Sequence, residues 1–455
     1  MTTVHIGCGA GFAGDRFDAA VPLVATLAQA KGERFLIYEV LAERTLAIAQ
    51  RLRRENPEQG YSPFLDIYLP LVLADCHKHG IRIVTNMGAA NPLGAARRVH
   101  ALAKELGIRG LKVAAVTGDD LLATLSETQL RGEPVIEGIA LDDRPIVAAN
   151  AYLGAVPVAQ ALATGAHVVL VGRSTDAALS LGPLMHVHGW KTNDFERLAQ
   201  GTACGHLLEC GAQVSGAYFP DPGFKDVPDL ERVGFPIAEV EADGSLIITK
   251  PPGTGGLVNR MTVIEQLLYE VHDPHNYLTP DVVLDLGEVQ VTEVGENRVS
   301  VKGARGKPPP STLKATVCVD AGWLGEGEIS YAGPNALARA ELAAKVVRAR
   351  CLAIGIKEAV RVEVLGTGAI FHGQSSASEQ ILPSFAFGEY RVRAAVRSAR
   401  RKVAQRVSDE VLSLYCSGPA GGAGVRQYVS PQVSTASILI DRARVQAQVS
   451  VVEAA

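Results

Sequence analysis

An α/β fold, with a doubly wound, mostly parallel sheet in the N-terminal half and an α+β region behind it, is the architecture this sequence predicts. Two observations lead there. Short apolar, β-branched runs alternate with helical stretches through the first half, as in parallel strands covered on both faces. From about Phe219 the texture changes, with frequent proline and glycine and with alternating segments in place of unbroken ones. At 455 residues the chain also exceeds what one core usually serves. Residues 1–218 therefore read as a Rossmann-like domain and 219–455 as α+β, with a possible split near 355.

Taken in order, residues 4–6 are a strand broken by a glycine loop that runs to Asp15, and a helix is expected over 18–30. A second strand at 35–38 ends on Glu39, and a third at 81–85 ends on Asn86-Met87-Gly88, with a helix opening at Asn91-Pro92. A fourth at 112–117 ends on Gly118-Asp119-Asp120, and a fifth at 167–171 ends on Gly172-Arg173-Ser174-Thr175-Asp176. Further on, Lys250 and a proline–glycine loop precede a helical stretch to Glu270, and 288–291 and 298–301 alternate like antiparallel strands. A helix over 335–353, a strand at 362–365 and a helix over 392–407 complete the tail.

Composition excludes several classes. Apolar residues at 47% and charged residues at 20% describe a packed protein, and 5% aromatics with 46 glycines favour tight α/β layers. A net charge of −4 argues against a nucleic-acid binder, which needs a basic surface to displace counterions. The basic residues of 391–406 fall at helical spacing and read as a solvated helix face. Seven scattered cysteines, no secretory opening and no apolar run near the roughly 18 residues of a membrane span predict a cytoplasmic chain with reduced thiols. A homo-oligomer is expected.

Ligands of doubly wound sheets bind beyond the carboxyl ends of the strands. That rule gathers Gly9, Gly11, Asn86, Gly88, Asp119, Asp120, Arg173 and Asp176 onto one rim. Each has two readings. The loop with Gly9 and Gly11 either offers backbone N–H groups to an anion or only permits a tight turn; its spacing is near a dinucleotide fingerprint, with Glu39 as the acid, but does not match it. Asp119-Asp120 reads as a general base, a divalent-metal pair or a helix cap. Arg173 with Asp176 either clamps a carboxylate or forms a structural pair. On a helix, His206, Glu209 and Cys210 share a face, suiting proton transfer, an activated thiolate, part of a metal site, or plain packing. Thr254, Gly255 and Gly256 after Lys250 look like a second anion cradle, though not a P-loop, because the lysine precedes the glycines.

Several longer motifs occur in order: GAGFAGD at 9–15, VTNMGAANP at 84–92, VTGDDL at 116–121, NAYLGA at 150–155, VGRSTDAAL at 171–179, GTACGHLLECGAQVSG at 201–216, TKPPGTGG at 249–256 and EQLLYEVHDPHNYLTPDV at 265–282. In these the chain resembles the acyclic terpene utilisation protein A (AtuA) family. The resemblance implies a place in the breakdown of citronellol- and geraniol-type compounds through CoA thioesters. Longer members continue into a small domain with a glycine–aspartate–lysine motif, so this shorter form is expected to act with a small partner subunit that supplies it.

Together these readings predict an enzyme of lyase, hydratase or isomerase type acting on a small carboxylate or its CoA thioester. The glycine loops and Arg173 would hold the anion, while Asp119 or Asp120, with His206 or Glu209, would move a proton beside a carbonyl. The competing reading is a non-catalytic ligand-binding or scaffold subunit that completes a partner's site. No cofactor is specified by the sequence.

Overall fold

The computed structural model describes residues 2–367 and 387–453. Two compact units are present, one of Met1–Cys318 with Thr435–Ala455 and one of Val319–Ser434. Residues 219–318 thus share a unit with the first 218.

The first unit is built on a ten-stranded sheet. Five strands are parallel: β1 (Val4–Cys8), β2 (Glu33–Tyr38), β3 (Arg82–Thr85), β4 (Val113–Thr117) and β5 (Val168–Val171). Five more are antiparallel: β6 (Ile237–Val240), β7 (Leu246–Thr249), β8 (Gln290–Gly295), β9 (Arg298–Lys302) and β10 (Gln448–Val452). Their spatial order is β8-β9-β7-β6-β1-β2-β3-β5-β4-β10. The fold is therefore α/β, and segments from beyond residue 219 extend the parallel sheet at both edges.

Side chains alternate across a strand, so one strand feeds two cores. Ile6, Ile37, Val84, Val116 and Val169 face one side, where the helices Val156–Ala163, Ala178–His188 and Phe195–Glu209 pack. Leu36, Ile83, Ala115 and Leu170 face the other, covered by Ala20–Leu27, Leu73–His79 and Pro92–Glu105. Each such side chain, fully withdrawn from water, contributes about 1.5–3 kcal/mol before entropy is counted. Burial on both faces explains why these strands carry unbroken apolar runs.

In the second unit the helices Ala336–Ala353 and Arg401–Leu412 bury Ala340, Val347, Val407 and Val411 against Ile329, Val392 and Val396. Here the expected helix over 392–407 is corrected. Phe387–Ser398 is a strand and the helix begins at Arg401. The run Arg391-Val392-Arg393-Ala394 alternates with period two, and it pairs antiparallel with Thr312–Pro334, for example Val392 with Ile329. Arg391 and Arg393 consequently sit on a sheet face, where they meet Glu328 and Glu363 at 2.7 Å. No described helix is long and apolar enough to cross a membrane.

Candidate functional site

The strand ends deliver polar residues to one rim of the sheet. Asn86, fully buried after β3, accepts a hydrogen bond from the Val40 amide at Oδ1 (2.8 Å) and donates from Nδ2 to Glu39 Oε1 (2.7 Å). It ties the loop after β2 to the loop after β3. Gly88 is close-packed, since a Cβ there would lie 2.4 Å from the Val171 carbonyl oxygen.

Arg173 sits at the centre of the rim and is 4% exposed. Its amide donates to Asp119 Oδ2 (2.8 Å), which also accepts from Asn150 Nδ2 (2.8 Å). Its guanidinium donates to the Leu41 carbonyl, lies 4.1 Å from the Tyr152 ring centroid and is 3.4 Å from Asp176 Oδ1. The Tyr152 hydroxyl donates to Glu43 and lies 3.3 Å from Thr316 Oγ1. This buried cation thus stands among Glu39, Glu43 and Asp176, which with Tyr152 keep it charged against the effect of burial.

The acids respond differently. Burial pushes Asp176 well above the ordinary aspartate range; Arg173 opposes this, while Glu39, Glu209 and Glu43 add to it. Burial likewise raises Glu39, against the pull of Arg173 and of the Leu41 and Asn86 donors. Burial acts upward on Glu43 too, but Arg173 and the Tyr152 hydroxyl outweigh it and hold that carboxyl below its usual range.

The helix Phe195–Glu209 brings a second group to the same rim. His206 Nδ1 is 2.9 Å from Glu209 Oε1. Burial disfavours the imidazolium, yet Glu209 reverses the balance and His206 is raised above its ordinary value. Cys210, which closes this helix, is raised by burial, opposite to the lowered value that an activated thiolate requires. Among the described residues, Arg173 Nε, Ser174 Oγ, Asp176 Oδ1 and His206 Nε2 are buried here without a hydrogen bond, Asp176 Oδ1 keeping its ion-pair contact with Arg173.

The glycine loops are satisfied from within the chain. The Gly11 amide donates to Asp15 Oδ2 (2.9 Å) and the Arg16 amide to Asp15 Oδ1 (2.8 Å), so a resident carboxylate holds this turn. Gly11 is required for close approach, because a Cβ would lie 2.3 Å from the Cys210 carbonyl carbon; at Gly9 it would meet the Tyr38 ring at 2.6 Å. In the second loop Lys250 Nζ donates to the Thr254 carbonyl (2.7 Å), and the amides of Gly255 and Gly256 donate to the carbonyls of Arg232 and Pro228 (2.8 Å each).

Asp120 caps the short helical turn Leu121–Ala123 through the Leu122 amide (3.1 Å) and lies 3.6 Å from Arg53 Nη1. Asp119, by contrast, is buried with its carboxyl pushed up to about 6, mainly by desolvation, with the Arg173 and Asn150 donors pulling the other way. Among the described residues no group of three or more His, Cys, Asp or Glu is arranged to hold a metal ion. Sequence reasoning did not single out Glu43, Asn150 or Tyr152. Asn150 and Tyr152 lie in the NAYLGA motif, where a polar Asn150 inside the apolar strand Ile146–Ala151 was the available signal and Tyr152 follows its end.

Asp119→Asn gives a test of this burial. A carboxyl raised from 3.8 to about 6 binds its proton more tightly in the folded chain than in the unfolded one. Its contribution to stability is therefore complete below pH about 4 and is lost as pH rises to about 6. Asparagine keeps an oxygen for the Arg173 and Asn150 donors without the charge. The variant is expected to be more stable by roughly 1–3 kcal/mol near pH 7.5, with the advantage vanishing near pH 4. Urea unfolding across that range reads it.

A family model described as acyclic terpene utilisation family protein AtuA matches residues 4–451. No curated protein and no solved structure matches the chain.

Proposed function

We propose, from the premise that the chain belongs to the acyclic terpene utilisation family AtuA, that it is a catabolic enzyme of the lyase, hydratase or isomerase type. Its substrate is a small carboxylate or acyl-CoA thioester, and its chemistry is proton transfer beside the carbonyl. The reading treats the parallel core as doubly wound, with the ligand held beyond the carboxyl ends of the strands.

One observation carries it. Among the described residues Arg173 Nε, Ser174 Oγ and Asp176 Oδ1 are buried and make no hydrogen bond, side by side on one loop beyond β5, and Asp176 Oδ1 has only its ion-pair contact with Arg173. Buried polar atoms are normally paired, and unpaired ones mark a place that something else completes. Asp176, whose hold on its proton is strengthened by burial and by neighbouring acids, serves in its protonated form as an O–H donor next to a permanent guanidinium. Such a donor pair stabilises negative charge that develops on a carbonyl oxygen, as neutral carboxylic acids do in other enolising sites. Glu209, steadied by His206, is the base that takes the α-proton. Asp119 positions the Arg173 loop through its amide.

The test is hydrogen exchange. Short-chain acyl-CoA thioesters and their free acids, incubated with the protein in deuterated water, are expected to gain deuterium at the α-carbon at a rate proportional to protein concentration. Mass spectrometry reads the label. Absence of protein-dependent exchange in both classes rejects the proposal.

A further inference from the structure

Asp119 also lines a cavity of about 620 Å³ whose walls include Arg53, Leu93, Asp120, Leu125 and Arg444. Arg173, Asp176 and Glu209 are not among its lining residues. The volume is that of a small-molecule site.

Three features give this cavity recognition chemistry. Asp119 is 4% exposed and accepts both its side-chain hydrogen bonds at Oδ2; among the described residues Oδ1 accepts none. Arg53 donates to the Ala90 carbonyl (2.5 Å) and is 3.6 Å from Asp120 Oδ2, and Arg444 is paired with Glu133 through one amino group. A guanidinium has five N–H donors, so both side chains keep donors in reserve. Leu93 and Leu125 add apolar surface to the lining.

We propose that this cavity binds a small hydroxy carboxylate, the carboxylate held by Arg53 and Arg444 and the hydroxyl donating to Asp119 Oδ1. Paired guanidinium forks select the carboxylate. A lone carboxylate oxygen in a buried wall is only an acceptor, and so it selects a ligand that carries a donor. The site stands apart from the proton-transfer reading, because its test reads binding and needs no turnover. It is linked to that reading structurally, since the other oxygen of Asp119 holds the Arg173 amide.

Isothermal titration of the full chain at about pH 8, where Asp119 is ionised, compares 3-hydroxybutyrate with butyrate. The expected result is saturable one-to-one binding of the hydroxy acid, with butyrate weaker by about tenfold or more, the range of a hydrogen bond to a charged acceptor. Arg444→Gln is expected to weaken binding of 3-hydroxybutyrate by about tenfold or more. Leu93→Trp fills the cavity without altering charge and is expected to weaken it as much, with the thermal midpoint unchanged. Equal affinity for the two acids, no saturable binding of either at millimolar concentration, or wild-type binding by a folded Leu93→Trp variant each overturns the proposal.

Discussion

Replacing Arg173 with leucine is expected to cost about 3–5 kcal/mol of folding stability at neutral pH, the largest stability effect of any single change at this rim. The guanidinium is the buried cation among Glu39, Glu43 and Asp176, and it is 4% exposed, so water cannot screen its loss. Without it Glu39 and Asp176 rise further above their unfolded values, and Glu43 loses the pull that holds it below its own. A carboxyl raised in the folded state contributes stability at low pH and loses it as pH climbs through the folded value. The penalty should therefore grow from pH 5 to pH 8. Arg173→Lys keeps the charge but loses the flat contact with Tyr152, and it should recover part of the loss. Urea midpoints at the two pH values decide the matter, and an Arg173→Leu midpoint equal to wild type at pH 8 removes the guanidinium from this role.

Glu209→Gln is expected to slow α-proton exchange by about 10²–10⁴-fold, the usual contribution of a positioned base. Glutamine preserves the shape and an acceptor for His206 Nδ1 at the end of the same helix. It also removes one of the charges that raise Asp176, which donates only when protonated, so any remaining activity should fall off on the alkaline side at lower pH than in the parent. It removes as well the charge that raises His206. His206→Gln, which loses the orienting group and keeps Glu209, should retain more activity than Glu209→Gln. Exchange rates measured against pH for both variants separate the two roles; full activity in Glu209→Gln would mean that another group takes the proton.

The five parallel strands were legible because each is buried on two faces and leaves a run such as Val168 to Val171 with no polar interruption. Their ends were legible for the same reason, since Asn86, Asp119 and Arg173 follow directly where the apolar run stops. Contacts across the rim were not. Tyr152 meets Glu43 over 109 positions and Thr316 over 164, and neither spacing leaves a local trace. The arginine-rich segment after Phe387 misled for a related reason. Its alanines and arginines suit a helix as well as a strand, and the partner strand Thr312–Pro334 decides the outcome from far away. Glycine was ambiguous in another way: Gly11 serves a close backbone contact with Cys210, a need that a nucleotide loop and a simple packing site express identically in sequence.

The outermost strand, β10, closes the sheet against β4, and near it His100 bonds the Val452 carbonyl across 352 positions (2.7 Å). During synthesis β4 must wait with one edge unpaired until residues 448–452 have cleared the ribosome. An unpaired edge is a template for pairing with other chains, and so long-range closure exposes the nascent protein to aggregation. The cavity beside Asp119 draws part of its wall from Ala443, Arg444, Gln446 and Gln448, so it too is finished only at that late moment. Its occupant can therefore bind only a chain that has already completed its sheet, and binding of that kind shifts the balance toward the finished form by mass action.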